Sequence, residues 1–475
     1  MLTYELKKEP GVPLYEALYR CIRQDILSGV LKPGEKLPSK RALAEHLKIG
    51  KITVEGAYAE LLSEGYIRSQ EKIGYFVEAI EHPPMTPAPP EKTDVSKVDD
   101  TLLDLTTNGT GHFPFSVWSK LQRTVMLDYG RRLLLPMPNR GVPELRQAIA
   151  AHLSAFRAMH VDPECILVGA GTDFLYNLLI QLLGKEQVYA VEEPGYGKIR
   201  KIYAAGGVRC ISAHLDSQGV IPGDLQGASV LHISPSHHYP TGIVTPLSRR
   251  QELLSWAGTK NWIIEDDYDC EFRFARHPLP AMQSMNPERV IYINSFSKSL
   301  APSIRISYMV LPPELMAQFQ EKLGFYGCTV PSFEQYTLAL FLRGGYFEKH
   351  INRMRRFYRE RRNRVIDALS GCAAREKLSI FEQDAGLHFL LHVDTDLSDR
   401  ALVSLLQSIG IRVQTLSSFY HDTFPGDRHS LVINYSGMDD ANLETAVARL
   451  NELWQRRCED LQQREISRAL ADTDS

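Results

Sequence analysis

The apolar residues of this chain follow a helical spacing near its start. From Leu14 to Ser28 they recur every three or four positions, as on the buried face of one helix. Two more amphipathic stretches follow, one capped by Ser39 and one running from about Lys51 to Glu64. Two short β-rich runs come next, at 65–67 and 74–77. The pattern predicts three helices followed by a β-hairpin.

Beyond residue 100 the pattern changes to short apolar runs of strand length separated by helical segments. These runs are 166–168, 187–191, 230–233, 262–266 and 290–293. A helix is expected at 174–183, a long basic helix near 350–362, and further strands at 387–393 and 430–435. Alternation of this kind predicts an α/β fold with a mostly parallel sheet and a smaller C-terminal α/β lobe.

A proline-rich segment separates the two patterns. Five prolines fall in it, at 83, 84, 87, 89 and 90, with few apolar residues between them, so we expect an extended spacer. The predicted organisation is a helical domain at 1–77, a linker at 78–100, a large domain at 101–463 and a tail at 464–475.

Composition narrows the class of protein only slightly. The chain has 475 residues, 44% of them hydrophobic and 23% charged, with a net charge of −3, which is typical of a globular protein rather than a polycation. Its 7 cysteines are scattered and form no Cys-x-x-Cys pair, so neither a disulfide framework nor a metal site is expected. No apolar run reaches membrane-spanning length, and a cytoplasmic protein without a membrane partner is expected.

The segment from Ser295 to Lys298 carries the first candidate chemistry. It follows a predicted strand, and ligands of open α/β sheets bind at the carboxyl ends of strands. A lysine there can form a Schiff base with an aldehyde cofactor if its amine is deprotonated. The hydroxyls of Ser295 and Ser297 and the guanidinium of Arg305 suit a phosphate. Taken alone, the segment is equally compatible with a solvated loop.

A second strand end makes the first more specific. The run at 262–266 ends in Asp266, and Tyr268 follows it two positions later. A carboxylate opposite the ring nitrogen is what pyridoxal phosphate requires. The order of these segments resembles the fold-type I aminotransferases. That resemblance implies pyridoxal 5'-phosphate as cofactor, held by Lys298 as an imine, with Asp266 on the ring nitrogen, Tyr268 on the 3'-oxygen and Arg305 on the phosphate. The alternative is a strand-end turn with solvated charges.

Other positions fit the same resemblance. Tyr196, in Glu-Glu-Pro-Gly-Tyr, would stack on the cofactor ring, although a simple turn aromatic is the alternative. Gly171 and Thr172 lie at a predicted helix start, where free N–H groups favour a phosphate.

The departures from the aminotransferase pattern concern catalysis. Tyr239 stands where aminotransferases have asparagine before Pro-Thr-Gly, and Pro136 stands where a tyrosine normally reaches the phosphate of a partner subunit. Aminotransferases usually have a glycine two positions on each side of the phosphate-binding arginine, whereas this chain has Ser303 and Ser307 there. Val432 occupies the position of the arginine that holds a substrate carboxylate. Cofactor binding is therefore expected, and efficient transamination is not.

The first domain resembles the GntR family of DNA-binding domains. The matching motifs include Pro13-Leu-Tyr, Leu37-Pro-Ser-Lys-Arg-Ala-Leu-Ala and Thr53-Val, in the family's order. The resemblance implies a winged helix-turn-helix whose third helix enters the major groove of an operator. The residues expected at DNA are Ser39, Arg41, Lys51, Thr53 and, on the wing, Lys72. The alternative is that Arg41 and Lys51 are only exposed helix-end cations.

A GntR-type head joined by a proline-rich spacer to an aminotransferase-like domain resembles the MocR subfamily of bacterial regulators. The resemblance implies a DNA-binding transcriptional regulator that forms a head-to-tail homodimer and senses pyridoxal phosphate, or an amino compound together with it. Regulation rather than catalysis is the expected primary role. Two alternatives remain: an aminotransferase with residual activity, and a DNA-binding protein whose large domain is only a dimerisation scaffold.

Overall fold

The computed structural model describes residues 2–4, 6, 13–71, 73–79, 102–107, 109, 112–274, 279–381, 385–422, 426–438 and 441–455. The chain forms two compact units, 1–98 and 99–475. The prolines of the expected linker and the expected tail at 464–475 lie outside the described residues.

The first unit has the predicted winged helix-turn-helix. Its helices are α1 (Leu14–Leu27), α2 (Lys40–Leu47) and α3 (Lys51–Ser63), and its hairpin strands are β1 (Ile67–Gln70) and β2 (Gly74–Val77). Ser39 caps α2, with its hydroxyl accepting from the N–H of Ala42 at 3.2 Å. Lys48 then takes a left-handed conformation, with φ of 55°, which ends α2 and turns the chain into α3.

The core of this unit consists of the predicted apolar stripes. Leu18 and Ile22 of α1, Leu43 of α2, and Val54 and Leu61 of α3 are all fully buried. Because these side chains recur three or four positions apart, each helix presents one face to the other two.

The second unit contains the remaining elements. Its helices are α4 (Phe115–Tyr129), α5 (Pro143–Arg157), α6 (Thr172–Leu183), α7 (Gly197–Ala205), α8 (Leu247–Ala257), α9 (Met282–Met285), α10 (Phe296–Ser299), α11 (Pro313–Leu323), α12 (Ser332–Arg343), α13 (Tyr346–Ser370) and α14 (Asp399–Ser408), and residues 441–455 are also helical. Its strands are β3 (Leu103–Asp104), β4 (Ile166–Gly169), β5 (Val188–Glu193), β6 (Arg209–Asp216), β7 (Gly219–Val220), β8 (Val230–Ile233), β9 (Trp262–Asp266), β10 (Val290–Ser295), β11 (Ser307–Val310), β12 (Leu378–Phe381), β13 (His388–Val393), β14 (Ile411–Arg412), β15 (Gln414–Thr415) and β16 (Ser430–Asn434).

The large sheet has eight strands in the order β4-β11-β10-β9-β8-β5-β6-β7. Strands β10, β9, β8, β5 and β6 are parallel, whereas β11 is antiparallel to both of its neighbours. Alternate residues of a strand face opposite sides, so Ile264 packs in one apolar cluster and its neighbour Ile263 in another. The mostly parallel sheet and the helices around it confirm the predicted fold class.

The smaller lobe is built on a four-stranded antiparallel sheet in the order β12-β13-β16-β15. Its β13 and β16 correspond to the strands predicted at 387–393 and 430–435. The parallel strands β5, β8, β9 and β10 of the large sheet end at the same edge. The loops that follow them are therefore brought together at one place, which is where the candidate site lies.

Candidate functional site

A cavity of about 860 Å³ lies at the carboxyl ends of these strands. Eight of the predicted site residues line it together: Thr172, Tyr196, Asp266, Tyr268, Ser295, Ser297, Lys298 and Arg305. The ninth, Gly171, is the residue before α6 and contacts the guanidinium of Arg305. Residues more than a hundred positions apart in sequence thus meet in one site.

The carboxylate of Asp266 is fixed from one side only. Its Oδ2 accepts a hydrogen bond from the Tyr176 hydroxyl and lies 3.6 Å from Nε2 of His232. Nδ1 of that histidine lies 2.6 Å from the Tyr203 hydroxyl. The other oxygen, Oδ1, is buried and has no hydrogen-bond partner among the described residues. An oriented carboxylate with one unsatisfied oxygen suits a protonated ring nitrogen.

Lys298 lies on α10, directly after β10, and its side chain is largely withdrawn from water. Burial lowers the pKa of the Lys298 amine to about 8, and the nearby Asp269 carboxylate partly opposes this effect. An amine with such a pKa has a much larger neutral, nucleophilic fraction near neutral pH than an ordinary lysine, although the ammonium form still predominates there.

The groups expected at a phosphate, Ser295, Ser297 and Arg305, also line this cavity. The Ser295 hydroxyl accepts from the N–H of Ser297 at 3.1 Å and donates to its hydroxyl at 2.8 Å. Arg305 adopts a left-handed backbone with φ of 51°, although neither flanking position carries the glycine usual in aminotransferases. Its side chain is half exposed, and Nη2 donates to the carbonyl oxygen of Ala170 at 3.3 Å and lies 3.5 Å from Oδ2 of Asp173. This leaves most of its donors available to an anion.

Three tyrosines and a histidine form walls of the cavity around the expected ring position. Tyr196 is 50% exposed, and its ring lies 5.9 Å from that of Tyr239 at 86°. The Tyr239 ring also packs at 5.0 Å against His388 of β13. The hydroxyl of Tyr268 lies 3.2 Å from Nδ1 of His237. Tyr239, where aminotransferases have asparagine, is therefore part of the cavity wall.

The sequence did not identify several residues of the cavity. Those with polar side chains include Glu192, Arg200, His388, Gln414, His421 and Asn434. On β16, Val432 and Asn434 are two positions apart and so face the same side of the sheet. Val432 is buried and apolar, and no guanidinium occupies this position. Asn434 could have been predicted from the sequence to line the cavity, because it lies on the same face of the strand as Val432, the position expected to contact a substrate.

The predicted DNA-contacting residues of the first unit differ in how exposed they are and in whether they already have a partner. Arg41 is exposed near the start of α2. The side chain of Lys51 is 62% exposed, and its Nζ lies 3.3 Å from the Glu55 carboxylate. Thr53 is half-buried, and the Ser39 hydroxyl is already used as the cap of α2. The remaining predicted contact, on the wing at position 72, lies outside the described residues.

Two residues on α3 were not anticipated. Ile52 is 83% exposed at the start of the helix. Glu55 places a negative charge beside Lys51, and their i,i+4 spacing was a signal in the sequence. The expected reading end of α3 is therefore less positive than its lysine alone suggests.

No helix in the described part of the chain is long and apolar enough to cross a membrane.

Comparison with known families matches nearly the whole chain. The profile of "Aminotransferase class I and II" matches residues 101–450, and that of "Bacterial regulatory proteins, gntR family" matches residues 14–77. The chain is 34% identical to the uncharacterised HTH-type regulator YdeL of Bacillus subtilis, over 95% of this chain and 99% of that protein.

Two relatives with descriptive names are similar at comparable length. The probable rhizopine catabolism regulatory protein MocR of Rhizobium meliloti is 31% identical, covering 94% of each chain. The pyridoxine biosynthesis regulator PdxR of Corynebacterium glutamicum is 30% identical over 91% of this chain and 94% of that protein. Among solved structures, a multiple substrate aminotransferase from Thermococcus profundus superposes with a TM-score of 0.67 at 21% identity, over 77% of this chain and 93% of that one. That likeness shows the fold alone.

Proposed function

The chain belongs to the MocR-type GntR transcriptional regulators, and we propose that it is a sensor whose DNA affinity depends on pyridoxal 5'-phosphate bound at Lys298. The family establishes a DNA-binding regulator with an aminotransferase-like domain. The observation that carries the cofactor proposal is one cavity holding the buried, unpartnered Oδ1 of Asp266 and the amine of Lys298.

When bound, pyridoxal phosphate supplies an aldehyde and an electron-withdrawing ring. Lys298 would supply the amine that attaches to this aldehyde, with loss of one water and no need for an oxidant or reductant. The unpartnered Oδ1 of Asp266 would accept a hydrogen bond from the protonated ring nitrogen. Tyr268 would donate to the 3'-oxygen, and Tyr196 would cover one face of the ring.

The phosphate has its own set of donors. The guanidinium of Arg305 offers a bidentate contact, and the hydroxyls of Ser295, Ser297 and Thr172 add neutral donors. Gly171 and Thr172 lie at the start of α6, where backbone N–H groups are unpaired within the helix. All these groups except Gly171 line the cavity.

The head contacts DNA through α3 in the major groove. We assign base or phosphate contacts to Arg41 and Lys51, phosphate contacts to Ser39 and Thr53, and a wing contact to Lys72. The operator is double-stranded DNA. Because bacterial DNA lies in the cytoplasm, the protein acts in that compartment.

A homodimer completes the proposal, with the family's head-to-tail arrangement. Exposed apolar side chains cluster in sequence along α4 and the turn that follows it: Phe115, Met126, Leu127, Leu134 and Leu135 are between 53% and 78% exposed. Side chains of this kind are typical of a surface that a partner covers. A second copy of the chain is the partner that the family supplies.

The absorption spectrum of the full-length protein tests the cofactor assignment. Purified protein with pyridoxal phosphate should show an imine band in the visible or near-ultraviolet range, and Lys298→Ala should lose it while remaining folded. Lys322→Ala, an exposed lysine on α11, is the matched control and should keep the band. An unchanged band in Lys298→Ala would exclude Lys298 as the point of attachment.

Residual transamination is the second candidate function, because the groups proposed to hold the cofactor all lie at one cavity. Against it, Val432 and Asn434 provide no guanidinium for a substrate carboxylate. Addition of amino acids to the loaded protein tests it, since transamination would convert the imine band to that of the amine form of the cofactor. We expect no conversion within minutes.

A further inference from the structure

Behind the Lys298 cavity lies a buried histidine–carboxylate pair that the proposed function has not used. Nδ1 of His237 is 2.8 Å from Oδ2 of Asp269, and the two side chains are each 2% exposed. His237 belongs to the loop after β8, and Asp269 to the loop after β9. Of the two, only Asp269 lines the cavity that contains Lys298. The histidine therefore holds the carboxylate from the side away from the ligand.

The hydrogen-bond geometry fixes which nitrogen of His237 carries the hydrogen. An ionised carboxylate can only accept, so Nδ1 must be the donor at 2.8 Å. The Tyr268 hydroxyl, 3.2 Å from the same nitrogen, then cannot donate to it. Its hydrogen remains available to the cavity, as a contact to the cofactor's 3'-oxygen requires.

The other ring nitrogen of His237, Nε2, has no acceptor to which a second hydrogen could be donated among the described residues. Nε2 is buried and has no hydrogen-bond partner among the described residues. The backbone of Gly386, with φ of 71°, packs directly against this ring, since a β-carbon there would lie 1.8 Å from Cε1. The His388 ring lies 4.6 Å away. This packing leaves His237 one role, which is to donate from Nδ1 to Asp269.

We propose that His237 is a positioning residue that holds the Asp269 carboxylate in the wall of the cavity containing Lys298, and that this carboxylate thereby governs imine formation at Lys298. The inference rests on the proposed attachment of pyridoxal phosphate to Lys298. Two opposing effects act on that amine: burial favours the neutral form, and the carboxylate favours the ammonium form. Without the hydrogen bond from His237, the buried carboxylate would be less stable as an anion, and its effect on Lys298 would weaken.

Other titratable groups surround the His237–Asp269 pair, and substitution of His237 or Asp269 leaves them unchanged. Those that face the pair or Lys298 are Tyr268, Glu271 and Arg273 in the loop of Asp269, His238 beside His237, His388 from β13, and Tyr435 after β16. Burial keeps the pKa of His388 well below its usual range, so this neighbour stays neutral across the pH range of the test. A difference between variants then reports on the pair itself.

The test is the pH dependence of imine formation between full-length apo protein and pyridoxal phosphate, followed by absorbance. The wild-type rate should reach half its maximum near the Lys298 pKa of about 8. Asp269→Asn should move that midpoint to lower pH by about one unit, because the ammonium form loses a stabilising charge. His237→Ala should move it in the same direction by less.

Two further variants separate positioning from simple damage. His237→Asn keeps an N–H donor close to the place of Nδ1, so its midpoint should return to the wild-type value. The double variant His237→Ala with Asp269→Asn should match Asp269→Asn alone, because His237 acts only through that carboxylate. A surface pair provides the matched control: Nδ1 of His214 lies 2.7 Å from Oδ2 of Asp224, outside the cavity lining, and Asp224→Asn should leave the midpoint unchanged.

Each outcome decides between the proposals. Equal midpoints in wild type, Asp269→Asn and His237→Ala would overturn the positioning role while leaving Lys298 as the attachment site. The positioning role would also be overturned if His237→Ala shifted the midpoint by the same amount in the Asp269→Asn variant as in the wild-type protein. Absence of an imine in the wild-type protein itself would overturn the proposed function instead.

Discussion

The guanidinium of Arg305 lies directly against the backbone of Gly171. A β-carbon built on Gly171 would lie 2.1 Å from Nη2 of Arg305, far inside van der Waals contact. Gly171 also has φ of 93° and ψ of 160°, a backbone conformation that is essentially restricted to glycine. The start of α6 and the proposed phosphate-binding arginine can therefore approach each other only because position 171 has no side chain.

This contact makes Gly171→Ala a specific prediction. The added methyl should displace Arg305 and strain the backbone by about 1–3 kcal/mol, so affinity for pyridoxal phosphate should fall while affinity for pyridoxal, which has no phosphate, changes little. Titration of apo protein with each compound measures both. Gly223→Ala is the control, because nothing lies within 4 Å of its β-carbon position and its φ is not positive. An equal loss of affinity for pyridoxal phosphate and for pyridoxal would contradict the placement of the phosphate beside Gly171 and Arg305.

The head should bind DNA through exposed cations on two helices. Arg41→Ala and Lys51→Ala should each weaken operator binding without altering the cofactor spectrum, because neither residue lines the cavity. Loss of one phosphate contact should reduce the slope of log affinity against log salt concentration by about one. Binding measured at several salt concentrations gives this slope. Unchanged affinity and slope in both variants would contradict the placement of α3 in the groove.

Glu55 supplies the matched test of charge on the same helix. Its carboxylate lies 3.3 Å from Nζ of Lys51, and it adds repulsion toward DNA phosphates. Glu55→Gln should therefore strengthen binding to DNA of unrelated sequence, opposite to the effect of Lys51→Ala. Weaker binding in Glu55→Gln would instead indicate that the carboxylate makes a favourable contact to a base.

The sequence predicted which residues line the cavity better than it predicted the complete sheet. Asp266 ends β9, Tyr268 lies two residues beyond it, and Lys298 lies three residues beyond the end of β10. Both strands begin with an apolar run, and parallel strands bring their ends together. Strand β6 was missed because all but one of its residues are exposed or only partly buried, so its apolar signal is interrupted. Strand β11 was missed because it follows the Arg305 loop directly and begins with a serine, so no turn signal separates it from that loop.

The unpredicted part of the site depends on tertiary packing. Tyr176 is one apolar-looking residue of α6, and His232 lies inside β8, so neither has a local pattern that separates it from core residues. Gln414 and Asn434 reach the cavity only because the smaller lobe packs there. The His237–Asp269 pair joins two loops 32 positions apart, a relationship that no spacing rule specifies.

The exposed apolar side chains of α4 and the following turn predict a dimer-breaking variant. Leu127 is 78% exposed and Leu134 is 76% exposed. Changing both to Asp should convert the proposed homodimer to a monomer at micromolar concentration, as measured by analytical ultracentrifugation, because two buried charges would lack partners. Phe381→Asp, at a 53% exposed position on β12, is the control and should remain dimeric. A wild-type monomer at that concentration would contradict the dimer itself.

The last prediction concerns the effector, and the cofactor itself is the candidate that the site favours. An amino acid effector would bring a carboxylate that needs a charged donor, and Val432 stands where aminotransferases hold that group with arginine. Tyr239 further narrows the ring edge through its contacts with Tyr196 and His388. Pyridoxal phosphate, by contrast, meets an amine, a free carboxylate oxygen and a guanidinium in one cavity.

Occupancy of Lys298 should then shift the protein between two arrangements with different operator affinity. The change in DNA affinity can be no larger than the difference in cofactor affinity between those arrangements. A gel-shift titration of apo protein with pyridoxal phosphate alone should therefore change operator affinity, and Lys298→Ala should abolish most of that response. If pyridoxal phosphate leaves the affinity unchanged and an amino acid added with it produces the change, the protein reads the amino compound, and the cofactor serves only as its binding group.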